Sequence, residues 1–229
     1  MGKILLNTYR PLIFTKFGSQ ASIKFNIPPY VDGSCRREPD FESEFPSITA
    51  LCRGRACAPR LFEGDRIIYL TVKSDYDNIG EAHYRLTAIL KIHKRFENHQ
   101  DAANWYIKNK ILIPSNCLID GNPPLSIEKT AGLKSTQMKR IMNHDESTRN
   151  KQLSKMLKEW DAEYWDKTKR YPVFITCKKI FIELNNPPIL LTKDLTKIFK
   201  KVPVTRTPPE ITKNDYKKIL TLIKKYKNR

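Results

Sequence analysis

The sequence predicts a single α+β domain. Residues 66–73 (RIIYLTVK), 84–96 (YRLTAILKIHKRF) and 171–184 (YPVFITCKKIFIEL) are β-branched and aromatic runs of strand length. Between the second and third runs, Leu153, Met156, Leu157, Trp160 and Tyr164 recur at three- and four-residue steps, the spacing of a helix that buries one face. A chain of 229 residues with 40% apolar content and only 8 glycines suits one domain carrying an insertion or an appendage, and argues against disorder.

Taken in order, residues 3–14 (KILLNTYRPLIF) read as one or two short strands broken at Pro11. Residues 18–33 read as loop, with Pro28-Pro29 and Asp32-Gly33 as turn signals. Residues 47–53 suit either a strand or a short helical turn. Gly64 supplies the permissive backbone of a charged turn before the strand 66–73. The strand 84–96 alternates imperfectly, as a strand covered on both faces of a curled sheet does. Asn98 caps a helix, with Asp101 three residues on. Residues 111–126 return to loops and extended segments. The helix 145–170 lies within a helical block, 132–170, that interrupts the strands and so reads as an insertion. The strand 171–184 carries a break at Lys178-Lys179, and Pro187-Pro188 ends the sheet. A short helix follows at 193–200, and Thr212, with Asp215 three residues on, caps a last helix to Tyr226. The domain is expected over 1–205 and a basic C-terminal helix over 206–229.

No apolar run approaches the ~20 residues that span a bilayer, and the first residues read as a strand rather than a signal peptide. Asn7 follows Gly2 where a myristoylation motif has Ser or Thr nearby. Five cysteines form no disulfide framework, and Cys52 and Cys57 lack the second pair a zinc site needs. A cytoplasmic protein with reduced thiols, no membrane association, no metal and no cofactor is expected. The net charge is +18 and unevenly placed: residues 1–130 carry 18 Lys and Arg against 14 Asp and Glu, residues 131–229 carry 24 against 10. Such an asymmetry points to a polyanionic partner, nucleic acid first. The alternative is lysine that merely solvates helix faces.

The densest chemistry lies in residues 30–40. Asp32, Ser34, Cys35, Arg36, Arg37, Glu38 and Asp40 surround a bend at Gly33, and Pro39 stops any helix. Polar groups packed this closely just before core strands are placed to line a pocket.

The run Gly33-Ser34-Cys35-Arg36-Arg37-Glu38 resembles the Gly-x-Lys-x-x-Glu-x-Arg motif of ASCH domains, departing from it at Cys35, where the motif has Lys, and at Asp40, where it has Arg. Gly64-Asp65 leading into Ile67-Ile68-Tyr69, followed by the strand from Leu86 to His93, is similar to the PUA-like superfamily, which includes ASCH, EVE and YTH domains. Residues 180–195, a strand, a Pro-Pro step and a leucine-led helix, resemble the end of EVE domains. The similar stretches cover about a third of the chain. The resemblance implies a small curled β-barrel with flanking helices and a pocket for a nucleobase, often a modified one. Some ASCH proteins are amidohydrolases on modified nucleosides, and Cys35 in place of the motif lysine counts against that activity here.

Reading a base needs a stacking surface and donors and acceptors for its edge. The candidate nucleic-acid-binding residues are Tyr30, Ser34, Cys35, Arg36, Arg37, Glu38, Tyr69, Thr71, Lys73, Trp105 and Asn116. Arg36 and Arg37 would donate to phosphate or a base carbonyl, or else pair with Asp32, Asp40 or Glu42 as structure. Glu38 would accept from an exocyclic amine. Tyr30, Tyr69, Trp105 and Tyr106 offer rings, of which core packing would claim some; Trp105 and Tyr106 face different sides of one helix, so at most one is buried. Thr71 and Lys73 end the main strand, and Asn116 and Cys117 lie in a loop able to close over the pocket. Lysines on helices 145–170 and 212–228 would track phosphates. DNA is expected ahead of RNA, with a nuclease or modification enzyme as a possible partner protein. Two alternatives stay open: an enzyme of base or nucleotide modification or hydrolysis, and an interaction module for an acidic protein. Hydrolysis would use Cys35 with His83, His93 or His99; a metal nuclease would draw on Asp40, Glu42 and Glu44.

Overall fold

The strand runs lack clean polar alternation because the sheet they form is covered on its inner face and over much of its outer face. In a computed structural model, which describes residues 2–133, 135–200, 202 and 205–227, the chain has an α+β fold built on a curled half-barrel sheet. Residues 1, 134, 201, 203, 204, 228 and 229, parts of the expected domain, insertion and C-terminal helix, lie outside the described residues. The strands are β1 (Ile4–Tyr9), β2 (Ser47–Thr49), β3 (Arg66–Thr71), β4 (Tyr84–Phe96), β5 (Phe174–Ile182) and β6 (Ile189–Leu190). The helices are α1 (Lys16–Phe25), α2 (His99–Lys108), α3 (Ser135–Met142), α4 (Glu146–Arg170), α5 (Thr192–Phe199) and α6 (Lys213–Lys227). The sheet order is β1-β3-β4-β5-β2, with β6 pairing the start of β4; β1 runs parallel to β3 and the other pairs are antiparallel.

Inside the curl, Leu5, Tyr9, Phe41, Ile67, Tyr69, Leu90 and Ile175 pack together. On the outer face Ile4, Ile68, Ile89 and Phe181 meet Leu195 of α5 and Tyr216 and Ile219 of α6. The expected curled β-barrel is present as a half-barrel: β1 and β2 end the strand order, and no pairing among the described residues joins them. Their outer edges are covered instead. The Leu6 amide donates to Pro209 O and the Ile211 amide to Ile4 O, while Asp40 bridges to Ser47 of β2.

The turn before β3 owes its shape to two adjacent residues. Gly64 has φ +89°, the left-handed region that glycine tolerates. Asp65 then accepts the Lys3 amide at 2.9 Å and the Phe62 amide at 3.0 Å, locking the turn to the start of β1.

Two segments differ from expectation. Residues 18–25, expected as loop, belong to α1: the Thr15 hydroxyl accepts the Gly18 amide at 3.0 Å, and Asn26 closes the helix in the left-handed region. The helix leaves little hydrophobic signal because Gly18 and Ala21 are its buried residues. A Cβ at Gly18 would come within 1.8 Å of Leu12 O, so the close approach needs glycine. Pro187-Pro188 does not end the sheet either, since β6 follows at once and Pro188 O accepts the Leu86 amide. Within the block 132–170, α4 takes the place of the helix expected over 145–170, and α3 precedes it. Among the described residues no helix is long and apolar enough to cross a membrane.

Candidate functional site

The 30–40 segment folds back on its own carboxylate. Asp32 Oδ1 accepts the Ser34 amide at 2.8 Å, the Ser34 hydroxyl, and the Glu38 amide at 3.0 Å. This turn faces Arg36, Arg37 and Glu38 inward.

Arg36, 1% exposed, grips Asp161 of α4 with Nε at 2.5 Å and Nη2 at 2.8 Å. Its Nη1 donates to Ser115 O at 3.0 Å and Asn122 O at 2.8 Å. Arg37, in the left-handed region at φ +42°, donates to Asp32 O at 2.6 Å and Lys129 O at 2.8 Å and pairs with Glu42 at 3.2 Å. Both guanidiniums are spent on carbonyls and carboxylates, so they hold the loop, α4 and the 115–129 segment together rather than meeting a phosphate. Glu38 is buried as well. It accepts the Thr49 amide at 2.9 Å, the Thr49 hydroxyl at 2.7 Å and Asn116 Nδ2 at 3.0 Å. Burial pushes its carboxyl up to about 8 against those three donors. Asn116 completes the network by accepting the Ser47 hydroxyl at 2.7 Å.

The other candidate residues scatter. Tyr30 is buried, with its hydroxyl on Asp77 and its ring 5.5 Å from the Arg85 guanidinium carbon, so no face is left for a base. Tyr69 packs inside the curl. The buried Thr71 hydroxyl accepts the Arg85 amide at 2.9 Å. Lys73 is exposed just past β3. Tyr106 is buried and Trp105 half-buried, against Phe45 and His93. Cys117 is buried, and its thiol donates to His99 O.

Several of the groups named for catalysis are buried. Burial pushes the Cys35 thiol up to about 12, with Asp161 adding to the rise, so it carries no thiolate at neutral pH. His99 is buried, its Nδ1 accepting the Leu118 amide at 2.9 Å, and burial lowers it to about 4. Asp40 is turned to the Glu42 and Ser43 amides, and among the described residues no group of three or more His, Cys, Asp or Glu side chains is placed to hold a metal ion.

Ser34 opens onto a cleft of about 850 Å³; Arg37 borders a second one of about the same volume, between Glu42 and the 110–129 segment. The floor of the first is Asp32, Gly33 and Ser34; its walls are Phe14 before α1 and Trp160 and Tyr164 of α4; Arg10 and Lys16 stand at its rim. Gly33 permits the floor, because a Cβ there would lie 2.6 Å from the Ala131 Cβ on the facing segment. The Trp160 and Tyr164 rings are 6.4 Å apart and tilted by 34°. Burial raises the Tyr164 phenol well above its ordinary value, and the Asp32 charge adds to that. Asp32, 6% exposed, is pushed by burial up to about 6, opposed by its Ser34 hydrogen bonds and by Arg37. Aromatic walls, a carboxyl and a hydroxyl on the floor, and cations at the mouth can hold a flat, hydrogen-bonding, anionic ligand. The sequence signal for the walls was the Trp160–Tyr164 step, which reads equally as an ordinary core stripe.

No family model matches the chain, and neither a curated protein nor a solved structure does.

Proposed function

We propose that the chain is a PUA-like nucleic-acid-binding protein that takes a base, probed first as a modified one, into the cleft above Asp32 and Ser34. The observation that carries the reading is the placement of Trp160, Tyr164 and Phe14 around a carboxyl and a hydroxyl, beneath Arg10 and Lys16. A base stacks on an indole or phenol face, and its edge meets Asp32 and Ser34. The mouth cations serve the attached phosphate, and exposed lysines such as Lys151 and Lys158 of α4 and Lys217 and Lys224 of α6 supply salt-sensitive affinity. The half-barrel sheet and the Gly64-Asp65 turn support the PUA-like assignment.

The test is binding of plain, base-modified and abasic oligonucleotides at two salt concentrations. Trp160→Ala is expected to weaken base-bearing ligands about tenfold, the loss of one stacking contact, without changing the salt slope. Abasic and plain oligonucleotides binding alike, with Trp160→Ala without effect, would overturn the reading.

A further inference from the structure

The outer face of the sheet is not covered along its whole length. Helices α5 and α6 shield Ile4, Ile68, Ile89 and Phe181, and α2 shields Phe96 and Phe174. Between these two covers the strand register sets Arg66 of β3 opposite Lys91 of β4, and Lys91 opposite Lys178 of β5. Directly paired residues share a face, so three cations from distant parts of the chain form one row across three strands. Lys91 and Lys178 are exposed. Arg66 is half-buried against Tyr216, its guanidinium carbon 5.8 Å from the ring centroid, and its Nε has no hydrogen-bond partner. Among the described residues no carboxylate forms an ion pair with any of the three.

Like charges placed directly opposite destabilise a sheet. An anion lying along the row removes that cost, and a row of evenly spaced cations suits an anion with evenly spaced charges. The flank of the row is aromatic. His93, two residues along β4, stacks on Phe45 with centroids 5.3 Å apart and planes 24° apart, and Trp105 lies 6.1 Å from His93. Lys94 Nζ sits 5.9 Å from the Trp105 ring centroid. Burial lowers the His93 pKa, and the charges of Lys178 and Lys94 lower it further against Glu63, so the row and the aromatic flank act on one another.

We propose that this band is a track for single-stranded nucleic acid, with Arg66, Lys91 and Lys178 on consecutive phosphates and the Trp105–His93 flank taking an unpaired base. A duplex keeps its bases stacked inside and offers none to that flank. The inference rests on the reading that the chain binds nucleic acid, but not on the cleft. Arg10, at the cleft, follows the end of β1, whereas Arg66 pairs with Ile4 at its start. Six strand residues separate the two, about 20 Å.

The test is fluorescence anisotropy of a labelled oligothymidylate, and of the same sequence as a duplex, at two salt concentrations. Lys91→Gln/Lys178→Gln is expected to weaken the single strand about tenfold and to lower the salt slope by about 1.4, two phosphate contacts at ~0.7 each. The thermal midpoint of the variant should be no lower than that of the wild type, since a repulsion has been removed. If the double variant keeps wild-type affinity and slope while Trp160→Ala weakens binding, the track is overturned and the cleft stands. If the variant weakens dextran sulfate or the duplex as much as the single strand, the band is a general polyanion surface and the assignment fails. If the wild type binds no oligonucleotide, both readings fall.

Discussion

Arg36→Ala unfolds at a markedly lower urea concentration than the wild type, with a loss of about 3–5 kcal/mol. The magnitude follows from what stays behind. Asp161 loses a two-pronged partner, and the carbonyls of Ser115 and Asn122 lose their shared donor. Removing one member of a buried ion pair costs roughly that much, because the abandoned groups are no longer solvated. Arg36→Lys recovers only part of the loss, since an ammonium cannot serve a bidentate carboxylate and two carbonyls in one plane. Asp161→Asn is milder, because the amide oxygen still accepts one guanidinium hydrogen bond and Arg36 keeps the carbonyls of Ser115 and Asn122. Urea denaturation of the three variants measures the order. An Arg36→Ala midpoint within about 0.5 kcal/mol of the wild type, the range of an ordinary surface substitution, would refute the structural role. Loss of nucleic-acid binding in Arg36→Ala therefore reports unfolding and says nothing about recognition.

The second large effect is a pH dependence centred on Glu38. Its folded-state pKa is raised from 4.5 to about 8 by burial. Between those two values the folded protein holds a proton that the unfolded chain has released. The stabilisation is full below 4.5, declines as pH rises, and is gone above about 8. The slope within the window approaches ~1.4 kcal/mol per pH unit. Asp32 and Asp40, each raised by burial to about 6, add to the decline at its acidic end. Glu38→Gln isolates the contribution, because an amide does not titrate. The variant should show a flatter stability profile across the window. It should also lose about 1–3 kcal/mol near the acidic end, since its amide group would confront the Asn116 amide donor that Glu38 accepts. Urea denaturation of both proteins at several pH values decides it, and parallel profiles would sink the assignment.

What the sequence revealed was local. The strands 66–71 and 84–96 and the helices capped by Asn98, Asp145 and Thr212 each carry their signal within a few residues. The α1 helix was hidden because its contact surface is a bare glycine resting on the backbone of Leu12, which no hydrophobic pattern records. The orientation of residues 30–38 was hidden for a different reason. Whether Arg36 faces water or the interior depends on Asp161, 125 residues away, and Glu38 depends on Asn116, 78 residues away. Dense polar chemistry marks a segment that matters, but saturation by distant partners turns recognition residues into structural ones. The cleft walls fail in the opposite sense, because Trp160 and Tyr164 match a core stripe yet also border open space. The cation row has no sequence signature at all, since residues 66, 91 and 178 become neighbours only through strand register.

The cover on the outer edge of β1 bears on the order in which the molecule can assemble. Leu6 and Ile4 are satisfied by Pro209 and Ile211, some two hundred residues later on the chain. Until nearly everything else has been made, a ribosome emitting the chain exposes an unpaired edge of a strand that is buried along its whole length in the fold. Folding of this edge is set by the last contacts to become possible, a high-contact-order closure that is slow and open to pairing with a second nascent chain. Residues 209–211 thus act as a late latch, and chains released before them carry a sticky first strand.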